Sequence, residues 1–402
     1  MNWTIKKEQY KVPIQSWCEK PEDKAMEQAE NLACHPFVFH HVALMPDCHP
    51  GYGMPIGGVI ACINAVIPNA VGVDIGCGMG AVKTDIFVTE ETNRKKLREI
   101  VNNIKSRVPC GEGKGHKKMQ DWEGFDDQLD DLSERPWMDK HTRQLAKKNL
   151  GTLGGGNHFI EIQADTSNTI WLMIHSGSRH MGNVIAKYYH QLAVDINTKW
   201  HSDIPTKELA FLPSDSDEGK LYIDDMNFAL DYARENRKRI MDNVMLAFQD
   251  MYPNAAFDDP INIHHNYAAI ENHFDKNVWI HRKGATSARM DEIGIIPGSM
   301  GTPSFIVKGL GNPESFMSCS HGAGRVFGRN DASKKLTPEE CDKAMGQIVY
   351  DRWNKIRRGK AKGLYDLGEA PQAYKDINLV IDAQKDLVKP IVTLRPLAVI
   401  KG

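Results

Sequence analysis

The amino-acid sequence predicts an α+β fold, a single compact domain over residues 1–402 with mixed β-sheets at the core flanked by helices. Three observations lead to this prediction. Short apolar runs bounded by glycine and proline recur along the chain and are typical of strands, whereas helical periodicity is confined to a few longer segments. These strands and helices do not alternate regularly, as they would in a doubly wound parallel sheet. No stretch has the composition of a domain linker.

The individual elements follow from local patterns. Residues 36–84 are dense in glycine and short apolar runs, which predicts strands that include Val42–Met45 and Val59–Ile63. Residues 90–150 are charged and lack β-patterning, which predicts helices and loops that cover the core. Apolar residues at helical spacing predict one helix through Ile185 and Ile196 and a longer one over Met226–Met251. Further strands are predicted at Phe159–Ile162, Ile170–Ile174, Val278–His281, Phe305–Val307 and Leu397–Ile400.

Composition and charge narrow the class of protein. The chain is 41% hydrophobic and 25% charged with a formal net charge of −2, which is typical of a soluble globular protein. A nucleic-acid partner would therefore be held by a local basic patch, such as residues 114–118 or 357–362. There is no apolar run of about 18 residues and no apolar leader, so we expect a cytoplasmic protein without membrane association. The eight cysteines form no CxxC pair, so most are expected to be reduced, buried thiols.

The segment "GVDIGCGMG" (72–80) carries the first candidate metal ligands. Val71, Val73 and Ile75 alternate as a strand would, which places Asp74 on the opposite face and Cys77 in the glycine turn that follows. A carboxylate and a thiolate held this close repel one another unless a cation lies between them. The alternative, an aspartate that caps a glycine turn beside a buried cysteine, stays open at this point.

Three further segments place a histidine at the start or the end of a predicted strand. "GTLGGGNHFIEI" (151–162) delivers Asn157 and His158 from a glycine-rich loop that is neither a Walker A loop nor a dinucleotide fingerprint. His175 follows an apolar strand, and His264 and His265 lie in "INIHHNYAAI". A lone histidine of this kind is usually structural, but strand ends converge in space. One mixed N/O/S site would suit Mn²⁺, Fe²⁺, Co²⁺ or Zn²⁺ better than Mg²⁺.

Anion-binding and nucleophilic candidates complete the set. In "SCSHGAGR" (318–325), small residues would let a phosphate approach the backbone around His321, and Arg325 could balance its charge. From the octet alone, His321 could equally be a turn histidine without chemistry. Lys283, the glycine-rich loop with Ser299, Met300 and Ser304, and Lys401 are further positions that could meet an anion, although composition alone places a lysine such as Lys401 in solvent.

The motifs taken together resemble the RtcB family of RNA-splicing ligases. The resemblance runs nearly end to end and rests on segments that occur in the family's order: "MPDCHPGYGMPIGG", "AVGVDIGCGMG", "GTLGGGNHFIEI", "HSGSR", "HHNY", "RKGA", "GIIPGSMG", "SFIVKGLGN", "SCSHGAGR", "APQAYKDI" and "VIKG". The fold is therefore expected to be RtcB-like. Cys48 and His180 stand where other residues are usual, and neither is a proposed ligand.

The resemblance implies specific roles for these residues. It implies two Mn²⁺ ions, with Cys77 bridging both, Asp74 and His158 completing one ion, and His175 and His265 completing the other. His321 falls on the guanylylated histidine, and Arg179, Lys283 and Arg325 would meet phosphates of GTP or RNA. Asp47 and His49 are given structural roles. The GTP pocket is implied at Asn157, His158, Phe159, Ile160, Glu161, His265, Asn266, Pro297, Gly298, Ser299, Met300, Ser304, His321, Gly322, Ala323, Gly324 and Lys401.

The resemblance also implies the reaction. His321 would attack the α-phosphate of GTP, and the guanylate would pass to an RNA 3′-phosphate, itself derived from a 2′,3′-cyclic phosphate. A 5′-hydroxyl end would then join and release GMP. RNA, such as tRNA, and GTP are the expected partners, and a monomer is expected. The rivals are a metal-dependent phosphodiesterase, which would need the ligands but not His321, and a non-catalytic RNA-binding protein with a structural metal.

Overall fold

A computed structural model of the chain describes residues 1–125, 135–356, 359 and 361–402. Over these residues the α+β prediction is confirmed, with strands and helices both abundant and mixed along the chain. Of the two basic patches named above, 114–118 is described, whereas Arg357, Arg358 and Lys360 of the second lie outside the described residues. Within the described part of the chain, no helix is both long and apolar enough to cross a bilayer.

The strands are β1 (Trp3–Ile5), β2 (Ile14–Ser16), β3 (Val38–Tyr52), β4 (Met54–Cys62), β5 (Ala65–Val66), β6 (Gly78–Phe87), β7 (Phe159–Asp165), β8 (Thr169–Ser176), β9 (Leu212–Pro213), β10 (Ile261–His264), β11 (Asn266–His273), β12 (Lys276–Lys283), β13 (Ala285–Ser287), β14 (Ile293–Ile296), β15 (Ser304–Gly309), β16 (Ser318–Ser320) and β17 (Val388–Lys401). The α-helices are α1 (Asp23–Ala33), α2 (Pro68–Val71), α3 (Arg94–Arg107), α4 (Lys140–Asn149), α5 (His180–Lys199), α6 (Asp217–Gln249), α7 (Arg329–Lys335), α8 (Pro338–Met345) and α9 (Ile377–Asp382). Short 3-10 turns lie at Lys207–Leu209, Pro313–Ser315 and Pro371–Ala373.

Two large sheets organise the molecule. The first has six strands in the order β1-β2-β3-β4-β12-β11, in which only β2 and β3 pair in parallel. The second is antiparallel throughout and has seven strands in the order β10-β6-β8-β7-β17-β15-β14. Strand β17 therefore joins a four-stranded part of this sheet to the β15-β14 hairpin.

Alternation along β8 explains why this strand is buried on both faces. Leu172 and Ile174 pack in one cluster with Ile240 and Val244 of α6, whereas Met173 belongs to a second cluster on the opposite side. Successive side chains of a strand point to opposite faces, so an uninterrupted apolar run is the pattern expected of a strand between two layers. The predicted strand Ile170–Ile174 is confirmed.

Helix α6 begins nine residues before the predicted Met226. The Ser216 hydroxyl accepts the backbone N–H of Gly219 at 3.0 Å, and Asp217 and Glu218 occupy the positive first turn. This capped first turn leads to the fully buried Tyr222. The predicted apolar stripe is therefore confirmed, but the helix that carries it begins earlier than predicted, directly after the Ser216 N-cap.

The strand predicted through Val71, Val73 and Ile75 is wrong. Pro68–Val71 is one turn of helix, and residues 72–77 form a loop that enters β6 at Gly78. Proline favours the first helical turn, and Gly72 takes φ 94°, which is left-handed backbone that breaks any strand. Asp74 and Cys77 remain three residues apart, but a loop rather than a strand presents them.

Candidate functional site

The predicted metal ligands meet at one end of the seven-stranded sheet. The register pairs Gly78 with both Ser176 and His264, and Phe159 with His175. Cys77 therefore precedes β6 where β8 and β10 end and where β7 begins. Asp74, Cys77, His158, His175 and His265 are brought together, as the sequence predicted.

Two sets of donor atoms share the Cys77 thiol. The sets are Asp74–Cys77–His158 and Cys77–His175–His265, each with its donor atoms within 4.8 Å of one another. The Cys77 Sγ lies 3.5 Å from His158 Nε2 and 3.2 Å from His175 Nε2, and His175 Nε2 lies 3.3 Å from His265 Nε2. Three imidazoles, a thiol and a carboxylate converge in a buried space, which is a donor set that fits borderline divalent metals.

Backbone carbonyls fix the orientation of two of these histidines. His158 Nδ1 lies 2.9 Å from the carbonyl oxygen of Leu153, and His175 Nδ1 lies 3.2 Å from that of Asn157. A carbonyl only accepts, so Nδ1 carries the proton in each ring and Nε2 presents a lone pair to the centre. This is the arrangement usually found around metal-bound histidines. His265 Nδ1 is buried without a partner among the described residues.

The charge state of this cluster depends on a cation. Burial raises the pKa of the Cys77 thiol well above its ordinary value, and the neighbouring Asp74 raises it further. Burial likewise lowers the pKa values of His175 and His265, so both imidazoles stay neutral. Neutral imidazoles and a thiol that needs a cation in order to ionise are what a metal requires, since binding displaces the thiol proton. The residues present therefore fit a divalent metal.

The glycine-rich loop packs against Arg179. Gly154 takes φ +89°, and a methyl group there would collide with the Arg179 guanidinium. Arg179 itself has φ 59° at the start of α5, an uncommon conformation for a side chain of this size, and its Nε donates to the Thr152 hydroxyl at 3.3 Å. Any side chain larger than that of glycine at residue 154 would therefore displace the Arg179 guanidinium.

His321 lies beside the metal-ligand cluster and is held by Asp47. The rings of His321 and His265 are 4.8 Å apart. Asp47 Oδ2 lies 2.7 Å from His321 Nδ1 and also accepts the backbone N–H of His321 at 3.1 Å. The aspartate is fully buried, and its Oδ1 has no partner among the described residues. Because a carboxylate accepts, Nδ1 carries the proton and Nε2 is left with a free lone pair.

A cavity of about 180 Å³ opens next to His321. Loops 297–300 and 321–325, strand β7 and the end of β17 form its walls. It is lined by His49, Ile56, Asn157, Phe159, Glu161, His175, Pro297, Gly298, Ser299, Met300, His321, Gly322, Ala323, Gly324, Arg325, Arg329, Glu369, Tyr374 and Lys401.

Two carboxylates stand out in the cavity wall. Burial raises the pKa of Glu161 to about 7, and its Oε2 accepts from Gln163 Nε2 at 2.6 Å. Glu369 instead accepts from cations, with Arg325 Nη1 at 3.1 Å, Arg329 Nε at 3.0 Å and Lys401 Nζ at 3.0 Å. The cavity wall therefore carries two carboxylate acceptors, Glu161 and Glu369, together with the cationic donors Arg325, Arg329 and Lys401.

Comparison with known proteins identifies the family. Residues 28–402 match the family described as tRNA-splicing ligase RtcB. RNA-splicing ligase RtcB of Escherichia coli (strain K12) is 41% identical, over 97% of this chain and 98% of its own length. The tRNA-splicing ligase RtcB of Pyrobaculum aerophilum is 31% identical over 98% and 95%, and the RNA-splicing ligase RtcB of Mycobacterium bovis 30% over 93% and 100%. The chain belongs to the RtcB family.

Most residues that the RtcB resemblance placed in the nucleotide pocket line the cavity, but several do not. Ile160 points into the core because it alternates with Phe159 and Glu161 along β7. Ser304 lies behind the wall, where its hydroxyl accepts the backbone N–H of Gly298 at 3.2 Å. His158, His265 and Asn266 belong to the metal-ligand side of the site, and Asn266 Nδ2 donates to the carbonyl of Asp74 at 3.0 Å.

The three residues predicted to contact phosphates differ in the hydrogen bonds that they already make within the protein. Lys283 is buried and donates to the carbonyls of Tyr52 at 2.5 Å and Asn69 at 2.9 Å. Arg325 donates to Glu369, Tyr374 and two backbone carbonyls. Arg179 lies over the glycine-rich loop. A direct phosphate contact by Lys283 or Arg325 stays a prediction, and would require each to leave partners that it has here.

The structure brings to this site several residues to which sequence reasoning gave no binding or catalytic role. Asp47 was given a structural role, yet it holds the ring of His321. His49, Arg329, Glu369 and Tyr374 line the cavity. The segments "MPDCH" and "EAPQAYKDI" contain most of these residues and were the available signal, but pairing Asp47 with His321 spans 274 residues of sequence.

Proposed function

We propose that this RtcB-family chain is a GTP-dependent RNA ligase, which joins RNA ends bearing a 2′,3′-cyclic phosphate or 3′-phosphate to 5′-hydroxyl ends. One observation carries the proposal. A histidine whose Nδ1 is fixed by a buried aspartate lies next to a five-residue set of metal ligands, in the wall of a cavity. A non-catalytic RNA-binding protein would have no use for that histidine.

His321 is the nucleophile in this proposal. With its Nδ1 proton held by Asp47, the Nε2 lone pair attacks the α-phosphorus of GTP. A bond forms between Nε2 and phosphorus, the bond from the α-phosphorus to the bridging oxygen breaks, and pyrophosphate leaves with the electron pair. Asp47 stabilises the positive charge that the ring acquires, as the aspartate of a catalytic triad does.

The guanylate then activates RNA. A cyclic phosphate end is first opened by water to a 3′-phosphate. An oxygen of that 3′-phosphate attacks the phosphorus on His321, which frees the ring and yields an RNA(3′)pp(5′)G end. The 5′-hydroxyl of the second strand loses its proton and attacks the RNA 3′-phosphorus, so that the strands join and GMP leaves.

The metal ligands would hold two Mn²⁺ ions. Cys77 would bridge both, Asp74 and His158 would complete one, and His175 and His265 the other. When bound, these ions supply positive charge that screens the phosphate oxygens during transfer. The chain's own contribution is to keep the imidazoles neutral and oriented, through burial and through the Leu153 and Asn157 carbonyls.

The cavity wall supports guanine over adenine. The Watson–Crick edge of guanine carries two N–H donors and one carbonyl acceptor, whereas that of adenine carries an amino donor and a ring-nitrogen acceptor. Glu161 supplies an acceptor and Lys401 a donor in the same wall. This pairing complements guanine, and adenine would face the Lys401 ammonium with its amino group.

Intact-protein mass after incubation with GTP and Mn²⁺ tests the proposal. Wild type is expected to gain one guanylate, and His321→Ala none. Joining of a 3′-phosphate RNA to a 5′-hydroxyl RNA by the wild type alone would complete the test. Cyclic-phosphate opening with no adduct on either protein, although metal is bound, would replace the ligase by the phosphodiesterase. The monomeric state and cytoplasmic location stay predictions.

A further inference from the structure

Glu369 is a hub for four donors in the cavity wall. Its side chain is only 12% exposed, and it accepts from Arg325, Arg329 and Lys401 at 3.0–3.1 Å and from the Tyr374 hydroxyl at 2.5 Å. A carboxylate with this little exposure would be costly if it merely balanced one charge. Instead, both of its oxygens are used by groups that line the cavity.

The donors reach Glu369 from three separate parts of the chain. Arg325 follows the His321 segment, Arg329 begins α7, and Lys401 ends β17. Glu369 and Tyr374 come from the stretch between α8 and α9. The carboxylate therefore ties the strand that carries Lys401 to the loop that carries the nucleophile.

Lys401 shares the cavity wall with two carboxylates, Glu161 and Glu369, and forms an ion pair with Glu369. Among the described residues, its ammonium donates to Glu369 at 3.0 Å and to the Asn157 carbonyl at 3.4 Å, and it lies 5.4 Å from the ring centre of Phe159. Glu161 pairs with Val399 on the neighbouring strand, two residues before Lys401 and on the same face of the sheet, and its hydrogen bond is with Gln163. The Lys401 ammonium is therefore bound by Glu369, whereas Glu161 is bound by Gln163.

We propose that Glu369 is a positioning residue for nucleotide recognition: it fixes Lys401 against the base and keeps Glu161 free, and so sets both the affinity for GTP and the preference for guanine. The inference rests on the function proposed above and deepens it. Without Glu369, Lys401 would turn to Glu161, and the donor and the acceptor that suit guanine would neutralise one another.

The chain offers a matched control in Glu271. Its side chain is 6% exposed and accepts from Arg282 at 2.5 Å, His273 at 3.1 Å and Arg289 at 3.2 Å, so it is an equally crowded carboxylate. It does not line the nucleotide cavity. Glu271→Gln therefore shows how the loss of a buried, multiply paired carboxylate outside the cavity affects nucleotide binding.

The experiment measures equilibrium binding of GTP and ATP by calorimetry in the His321→Ala background, where no covalent step can occur. Glu369→Gln is expected to weaken GTP binding by about 10- to 100-fold, the value of a hydrogen bond to a charged group, and ATP binding far less. Glu271→Gln is expected to leave the GTP-to-ATP ratio unchanged. An unchanged ratio in Glu369→Gln, with the protein folded, would overturn the inference.

A double-mutant cycle separates positioning from general stability. If Glu369 acts through Lys401, then Glu369→Gln should cost little further GTP affinity once Lys401→Met is present. Equal losses in both backgrounds would mean that Glu369 acts on its own, and the inference would fail. Should Glu369→Gln not fold, Glu369→Asp replaces it in the same cycle, because aspartate keeps the charge and shortens the reach.

Failure of the proposed function is recognised separately. It would show as absence of a guanylate adduct on wild type under the mass assay. The binding ratio and the cycle do not depend on that adduct, so either result can be obtained without the other.

Discussion

At the scale of single residues, one proton decides what His321 can do. Nδ1 and Nε2 compete for it, and the 2.7 Å contact with Asp47 assigns it to Nδ1. The same aspartate oxygen accepts the backbone N–H of His321, so ring and backbone are located together. Nε2 therefore keeps the lone pair that the proposed guanylyl transfer requires.

Asp47→Asn is expected to slow guanylylation of His321 by roughly 10²-fold or more, because an amide can donate to Nδ1 and place the proton on Nε2. The initial rate of adduct formation, followed by intact mass, measures this effect. Asp376→Asn, which removes a helix-capping carboxylate of α9 outside the cavity wall, serves as the control. A rate equal to wild type in Asp47→Asn would contradict the role given to Asp47.

Cys77 is shared by both sets of metal donors, whereas each histidine belongs to one. Cys77→Ala is therefore expected to lose both of the proposed Mn²⁺ ions, and His158→Ala and His175→Ala one each. The number of Mn²⁺ ions bound per chain decides between these outcomes. It is measured by elemental mass spectrometry after equilibration with Mn²⁺ and removal of unbound metal. His264→Ala should keep both ions, since His264 contacts Arg237 and Gly76 instead. Full occupancy in Cys77→Ala would rule out the bridge.

At the scale of elements, the site is assembled from strand ends and braced by α6. Arg237 of α6 is fully buried and donates to the carbonyls of Gly76 at 2.7 Å and Ser176 at 3.0 Å. These carbonyls flank Cys77 and His175. One helical side chain thus fixes the relative position of the loop before β6 and the end of β8.

Arg237→Leu is expected to destabilise the protein by about 3 kcal/mol or more, because it leaves several buried acceptors without donors. Urea unfolding followed by circular dichroism gives the free energy of unfolding. Arg234→Leu, one turn earlier and exposed, is the matched control and should change stability little. Similar midpoints for the two variants would show that the bracing contributes nothing.

The elements also show what the sequence could predict. Strand ends that carry His158, His175 and His265 were recognisable because each follows or precedes an apolar run, and the first two lie within two residues of a glycine. The side chain of Ile160 lies in the core rather than in the cavity wall, because a contiguous motif ignores the alternation of β7, and a nucleotide contact by this residue stays a prediction. The strand expected at Val71–Ile75 failed for a similar reason, since a three-residue alternation is too short to outweigh Pro68 and Gly72. A contact between residues far apart in the sequence, such as that of Asp47 with His321, produces no local sequence pattern from which it could be predicted.

At the scale of the whole molecule, buried neutral histidines make stability depend on pH. Burial lowers the pKa of His35 to about 4 and that of His281 to about 4. His281 Nε2 accepts the backbone N–H of Ile67 at 3.0 Å, which only the neutral ring can do. Between pH 6.5 and 4, these two histidines therefore bind protons in the unfolded chain but not in the folded one.

Stability is expected to be fully present above pH 6.5 and to fall as the pH drops toward 4, by up to about 3 kcal/mol for each such histidine. Urea midpoints measured at pH 7.5, 6 and 5 test the trend. His281→Gln, which keeps an acceptor without a titrating group, should show a shallower decline than wild type. Parallel curves for the two proteins would show that His281 does not contribute.

The position of β17 has a consequence for the order in which the molecule is made. This strand enters the sheet between β7 and β15, although it is synthesised after both. Until residues 388–401 emerge from the ribosome, the nascent chain carries two open strand edges that face one another, and Lys401 is missing from the wall of the cavity beside His321. The cavity wall is therefore complete only when this strand closes the gap, and an unfinished chain must be kept from pairing those edges with a neighbour.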